Sequence, residues 1–309
     1  MDEDVIVFAR HRYLGRILVL PAAITVIVAM ILPIGYALVM SMFSYRLGGE
    51  SSAVFVFFDN YIRFFQDQRA IGSLLTTLVF SIVALSLELV IGTFIAVLLT
   101  SINGRAAGVF RTIFTVPLLI SPIIVALIWR YMFDPHYGLV YWLLGLVGLA
   151  DDFGGLSEPG WALASIIVVD VWQTTPFVML VVTSGLSSIS ADIYESAHVD
   201  GAGPMRVFGK ITLPLITGVL IVITVIRGMD AFRVFDIIYG LTNGGPADST
   251  LSLSIYAFKQ GFENYEMGYS ITISVIMMVI LVILFAPLMR QFNRDTTKNL
   301  PNPKEKVRV

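Results

Sequence analysis

The chain has 309 residues, of which 57% are hydrophobic and only 14% charged, with a net charge of −2. A soluble domain of this length needs far more charge to cover its surface, and the absence of cysteine excludes disulfides and thiolate metal sites. His11, His136 and His198 lie far apart in the sequence, so no metal is expected, and no basic stripe interleaved with aromatics points to nucleic acid.

Crossing roughly 30 Å of hydrocarbon at about 1.5 Å per residue takes about 20 apolar residues. The stretches that qualify are 17–44, 73–100, 112–133, 161–186, 214–241 and 271–289. They must be helices, because backbone facing lipid has to satisfy its own hydrogen bonds. The chain is therefore read as an all-α membrane protein with six transmembrane helices. The first stretch follows Arg10, Arg12 and Arg16, yet it is too long for the apolar part of a signal peptide and has no small-residue cleavage site. It is expected to be a retained span. A short interfacial helix is expected around Asp59–Gln66, and Pro117, Pro122 and Pro176 are expected to kink the spans that hold them.

Lys and Arg set the orientation. Segments 1–16, 101–111, 187–213 and 290–309 hold 13 of the 20, and segments 45–71, 134–160 and 242–270 hold four. Both termini are thus expected in the cytoplasm, with a cytoplasmic segment at 1–16, a single transmembrane domain over 17–291 and a cytoplasmic tail at 292–309, disordered from Asn293. The bilayer is the first expected partner.

Between the fourth and fifth stretches the chain breaks its apolar pattern with ESAHVDGAGPMRVFGKITLP, residues 195–214. Ala191–Asp200 has helical character with Asp192 able to cap its start. Gly201-Ala202-Gly203-Pro204 then forces a turn, Met205–Ile211 can form a second short helix, and Pro214 suits the first turn of the fifth span. Such an elbow exposes Glu195, His198, Arg206 and Lys210, while Ala197 and Gly201 allow close approach by another protein. Gly209-Lys210 is not a P-loop, since proline stands at 204 and Ile211 replaces the Ser/Thr.

Charges inside spans are costly and face a cavity or a partner. Arg227, Asp230, Arg233 and Asp236 recur every three residues in the fifth stretch, a spacing that lets opposite charges pair along one helix. Arg227 and Asp230 are candidates to line a solute path, with Arg233 and Asp236 at its outer mouth; a self-neutralised strip is the alternative. Glu88, alone in the second stretch, is expected to be buried against a partner subunit or an arginine of the fifth. Asp170, Trp172 and Gln173 complete the candidates, Trp172 as a ring on which a sugar could stack.

The loop also resembles a known pattern. Glu195-Ser196-Ala197, then Gly201, then Ile211-Thr212-Leu213-Pro214 is similar to the EAA loop of membrane subunits in ATP-driven, binding-protein-dependent importers, with Ser196 where alanine is usual. Asp230–Tyr239, Leu241–Pro246 and Trp172–Phe177 resemble carbohydrate permeases of the maltose, trehalose and glycerol-3-phosphate type. The resemblance implies a type I ABC importer permease fold in a bacterial-type cytoplasmic membrane, with 190–214 as the coupling loop. It also implies a second, homologous but different permease subunit in a heterodimer, with a homodimer as the alternative, two ATPase subunits that bind the ATP and Mg, an extracytoplasmic solute-binding protein and a sugar substrate. No cofactor is expected in this chain. Glu195 would make polar contacts to the ATPase, and Gly201 would form the turn. The alternatives are a permease for an amino acid or phosphate ester, an intramembrane enzyme using Glu88 or Asp170, and an ion channel; no nucleophile–base pair, metal set or filter-like glycine signature supports the last two.

Overall fold

A computed structural model of the chain describes residues 3–48, 53–102 and 104–298. Among these residues five helices are long and apolar enough to cross a bilayer, and there are six if the bent pair Gly104–Leu119 and Pro122–Met132 is counted as one span. The chain forms two compact units.

The first unit comprises the segment up to Gln66 together with Ala257–Ile276. Helix α1, Glu3–Met40, carries Pro21 and Pro33 within it. Its apolar part, Val19–Met40, has no buried residue across its most apolar window. Beyond it the two-residue strands β1 (Phe43–Ser44) and β2 (Val54–Phe55) pair antiparallel, and helix α2 occupies Asp59–Gln66 as expected. Asn60 Nδ2 donates to the carbonyls of Ser41 (2.9 Å) and Phe43 (3.1 Å), satisfying backbone freed where α1 ends. Arg46 and Arg63 both pair with Glu266, at 2.5 and 2.6 Å, and the Arg63 guanidinium lies 4.0 Å from the Tyr269 ring centre. Burial alone would raise the Glu266 carboxyl; the two arginines outweigh it and hold it below the usual carboxylate range.

The second unit, Asp67–Tyr256 with the segment from Met277, holds the helical core. Asp67 caps helix α3 (Gln68–Thr100), its carboxylate accepting from the backbone N–H of Arg69 and Ala70. Helix α7 (Pro159–Ser187) crosses α3 closely: a Cβ on Gly92 would lie 2.7 Å from Val178 Cβ. Small residues at such crossings let helices pack by van der Waals contact where lipid offers no hydrophobic drive. Helix α10 (Leu213–Phe232) completes the core, in which Ala96, Leu99, Val178, Val182, Ile216 and Ile223 are buried together.

The third expected span is not one helix. Helix α4 (Gly104–Thr115) runs into a 3-10 turn at Val116–Leu119, and α5 (Pro122–Met132) leaves at 94°. Pro117 and Pro122 withhold two N–H groups here, which turns the expected kink into a break. The freed carbonyl of Ile120 accepts from Gln173 Nε2 at 2.8 Å. Pro176, by contrast, is carried inside α7. Helix α6 (Leu139–Leu146) follows in the next connection. The elbow helices are α8 (Ala191–Val199) and α9 (Pro204–Val207), and α11 (Asp236–Leu241) continues the fifth span. Helices α12 (Leu253–Phe258) and α13 (Met267–Lys298) end the described chain. The expectation of disorder from Asn293 is corrected as far as Lys298, which is helical; 299–309 lie outside the described residues.

Candidate functional site

The elbow is built by backbone hydrogen bonding. Gly201 adopts φ +72° and ends α8, its N–H donating to the His198 carbonyl (3.0 Å) while the Ala202 N–H donates to Ala197 (3.0 Å). This six-to-one and five-to-two pattern is a Schellman closure, which needs a left-handed residue at that position. Nothing lies within 4 Å of a Cβ added there, so the demand for glycine is conformational and not steric. Tyr194 and Thr212 hydroxyls meet at 3.3 Å and tie the two arms together.

Two expectations are corrected at this elbow, and one holds. Ser190, not Asp192, is the residue before α8, and Asp192 sits in its first turn, where its carboxylate accepts from the Ser190 hydroxyl (3.2 Å). Pro214 stands in the first turn of α10, as expected, although the apolar stretch reaches back through α9 to Pro204. A π-turn at Phe208–Thr212, closed by the Leu213 N–H on the Phe208 carbonyl, widens the helix just before Pro214, whose missing N–H would otherwise break the ladder. Finally, Ala197 is only 6% exposed, so it packs inside the chain and offers no surface to a partner.

Glu195, Ser196, His198, Gly201, Arg206, Leu213 and Pro214 are exposed and Ile211 is half-buried. Two residues that sequence reasoning passed over stand out further: Val199 is 88% exposed and Met205 85%. Their signal was present, as apolar side chains inside an otherwise polar loop. An elbow carrying two projecting apolar side chains among Glu195, His198 and Arg206 is suited to a complementary cleft, with apolar anchors and a polar rim.

The span charges follow their spacing only in part, for Asp230 and Arg233. Arg227 does not pair with Asp230. Its Nε and Nη2 donate to Glu88 Oε2 and Oε1, both at 2.8 Å, and Nη2 also reaches Asp170 Oδ2 at 3.3 Å. The three groups come from α10, α3 and α7 and are buried, Glu88 completely. A forked pair with a third oxygen satisfies most of the guanidinium donors where water is absent. Of the two partners expected for Glu88, the arginine of the fifth span is the one it meets. Gln173 is buried as well, through its bond to Ile120.

Asp230 and Arg233 pair with each other at 2.8 Å and keep about half their side-chain surface exposed. Arg233 closes α10, the helix is interrupted at Val234 and Phe235, and the exposed Asp236 opens α11, so the three-residue ladder stops at the break. Ser252 Oγ donates to the freed Val234 carbonyl at 3.2 Å. Phe235 and Tyr239 stack beside it with ring centres 5.2 Å apart. Trp172 remains 42% exposed but stands edge-on to Trp129 at 5.5 Å, which fixes its plane. Among the described residues there is no cluster of His, Asp and Glu able to hold a metal.

The family described as "Binding-protein-dependent transport system inner membrane component" matches residues 88–298 of the chain. The chain belongs to this family. The match includes the elbow, the buried triad and the broken fifth span, and makes the chain a membrane transport component and not a catalyst. Among curated relatives, the trehalose/maltose transport system permease protein MalF of Thermococcus litoralis is 37% identical over 292 residues, covering 93% of this chain and 96% of that protein. The sn-glycerol-3-phosphate transport system permease protein UgpA of Escherichia coli O157:H7 is 32% identical, covering 89% and 92%. A chain of the bacterial ABC transporter involved in import of the acidic polysaccharide alginate shares the fold, with a TM-score of 0.78 over 94% of this chain and 99% of that one at 22% identity.

Proposed function

We propose that the chain is the permease subunit of a binding-protein-dependent importer for a sugar or a small sugar derivative, working by alternating access in a bacterial-type cytoplasmic membrane. It pairs with a second, homologous permease subunit, receives solute from an extracytoplasmic binding protein and docks two ATPase subunits, which bind ATP and Mg. Both termini and the elbow at 190–214 face the cytoplasm on this reading. The observation that carries it is the elbow itself: a Schellman-closed pair of short helices whose second arm, α9, runs through the π-turn into α10, so that a push on the elbow is delivered to the helix that holds Arg227. Relatives named for trehalose/maltose and for glycerol-3-phosphate support the substrate class.

Within the spans, burial divides the candidates. Side chains already buried inside one chain stay buried when further subunits join. Glu88, Asp170, Arg227 and Gln173 therefore hold the helices together, Arg227 through its fork to Glu88. Asp230, Arg233, Asp236 and Trp172 keep exposed surface for the solute, and the unwound backbone between α10 and α11 is where discontinuous helices of transporters commonly form sites. The exposed apolar face of α1 suits lipid or the second permease subunit.

The test is uptake by proteoliposomes that contain the assembled complex, with ATP enclosed in the lumen on the ATPase face and the binding protein and labelled solute added outside. Accumulation of a labelled neutral disaccharide or of an anionic sugar phosphate is expected, with loss when ATP is omitted. No uptake of either class, with uptake of an amino acid instead, would overturn the substrate assignment.

A further inference from the structure

The ion triad does not balance. Glu88, Asp170 and Arg227 bring two carboxyl groups and one guanidinium together at exposures of 0%, 5% and 8%. Counted as ions, they leave one negative charge in excess in the interior of the chain, where an uncompensated charge is strongly unfavourable.

No other cation among the described residues closes the count. Arg227 is the cation of both ion pairs in the triad. Arg233, the next basic group along α10, is bonded to Asp230 at 2.8 Å, and Asp230 itself only adds negative charge nearby. Arg69, at the start of α3, is bonded to Asp248. The helices α4, α5 and α11 also pack on α7. Their charged groups Arg105, Arg111, Arg130 and Asp236 are exposed and make no ion pair with the triad. The burial of Asp170 leaves no room for a cation from a further subunit.

The geometry tells the two carboxyl groups apart. Glu88 gives both oxygens to the Arg227 fork, at 2.8 Å each, which is the arrangement of a carboxylate. Asp170 has only a 3.3 Å contact, from Oδ2 to the Nη2 that Glu88 already holds. Its carboxyl also comes within hydrogen-bonding reach of the Glu88 carboxyl. Two carboxylates cannot bond each other, because both only accept; a protonated one donates.

We propose that the triad binds one proton per chain, carried by the Asp170 carboxyl, whose O–H donates to the Glu88 carboxylate. The buried group is then neutral. Carboxylates this close in a dry site do not both ionise, and a proton between them removes the repulsion. The proton is a resident ligand of the helix core and is not transported. It joins α7 to α3 directly, whereas the guanidinium joins them only by way of α10.

The test is infrared spectroscopy of the complete transporter at neutral pH, in a detergent without ester groups, read as wild-type-minus-variant differences. The wild type is expected to show the carbonyl stretch of a protonated carboxylic acid, downshifted in heavy water. Asp170→Asn, nearly isosteric, is expected to remove that band. Glu88→Gln is expected to remove it as well, because an ionised Asp170 then balances Arg227. This second loss separates charge balance from simple burial of an acid, since Asp170 is still present. Should either variant fail to assemble, wild type carrying an isotope label in its aspartate side-chain carboxyl carbons is expected to shift the band, and the same label in glutamate is not. A wild type without the band, or a band that survives Glu88→Gln, would overturn the proposal. A wild type without the band whose unfolding temperature rises with sodium would put a metal ion in the proton's place.

Discussion

The elbow at 191–207 and the ion triad of Glu88, Asp170 and Arg227 are both polar interruptions of apolar sequence, yet they are solved in opposite ways. The elbow satisfies its backbone locally, through Gly201 and the bonds around it, and turns Glu195, His198, Val199, Met205 and Arg206 outward. The triad satisfies nothing locally; its partners arrive from α3 and α7, 139 and 57 residues away from Arg227 in sequence. The elbow, proposed to meet another protein, leaves its contacts open, whereas the charges that hold the helices together close theirs within the chain.

This contrast predicts a graded set of effects. Removing one member of the triad gives the largest. Glu88→Ala leaves a buried guanidinium with only the 3.3 Å contact to Asp170, and is expected to cost about 3–5 kcal/mol, read as a lowered unfolding temperature of the purified complex. Unchanged stability would show that water or a partner reaches Arg227. Next in size is the α3–α7 crossing: Gly92→Val drives a Cβ into Val178 and is expected to cost about 1–3 kcal/mol by overpacking, measured the same way. Gly201→Val opposes a left-handed backbone at about 1–2 kcal/mol; its expected signature is loss of solute-stimulated ATP hydrolysis with the transmembrane domain still folded. Arg233→Ala, at an exposed pair, is expected to change stability by less than about 0.5 kcal/mol while altering the solute concentration needed for half-maximal uptake. The smallest effect belongs to Glu266 in the first unit. Its carboxyl is held below its ordinary value by Arg46 and Arg63, so the clamp contributes stability above the unfolded value, about 4.3, and loses it as pH falls through the lower folded value. Glu266→Gln should flatten that acid-side dependence of stability.

The same contrast explains what the sequence made legible. Five of the spans follow from apolar length alone, since lipid enforces one answer. The elbow follows from glycine and proline placement, because its bonds are local. The break between α4 and α5 was signalled by Pro117 and Pro122 but its size was not, since it depends on Gln173 arriving from α7 to take the Ile120 carbonyl. The charge ladder of the fifth span held for Asp230 and Arg233 and failed for Arg227, for a related reason. Spacing along one helix records which groups are neighbours on a cylinder, and it carries no trace of Glu88 and Asp170 on other helices. Ala197 misled in the reverse sense: small size looked like an invitation to a partner, and its own fold fills the space. Val199 and Met205 were overlooked because apolar residues in a mostly apolar chain attract no notice until their exposure is known.

The central claim is that the elbow transmits the work of a separate ATPase to the transmembrane helices. The most direct measurement is ATP hydrolysis by the reconstituted complex, with and without loaded binding protein, for the wild type and for Met205→Asp, a substitution at an exposed side chain that leaves the fold intact. The account predicts stimulation by loaded binding protein in the wild type and its loss in Met205→Asp together with weakened co-purification of the ATPase. Full stimulation and full co-purification in Met205→Asp and in Gly201→Val alike would contradict it.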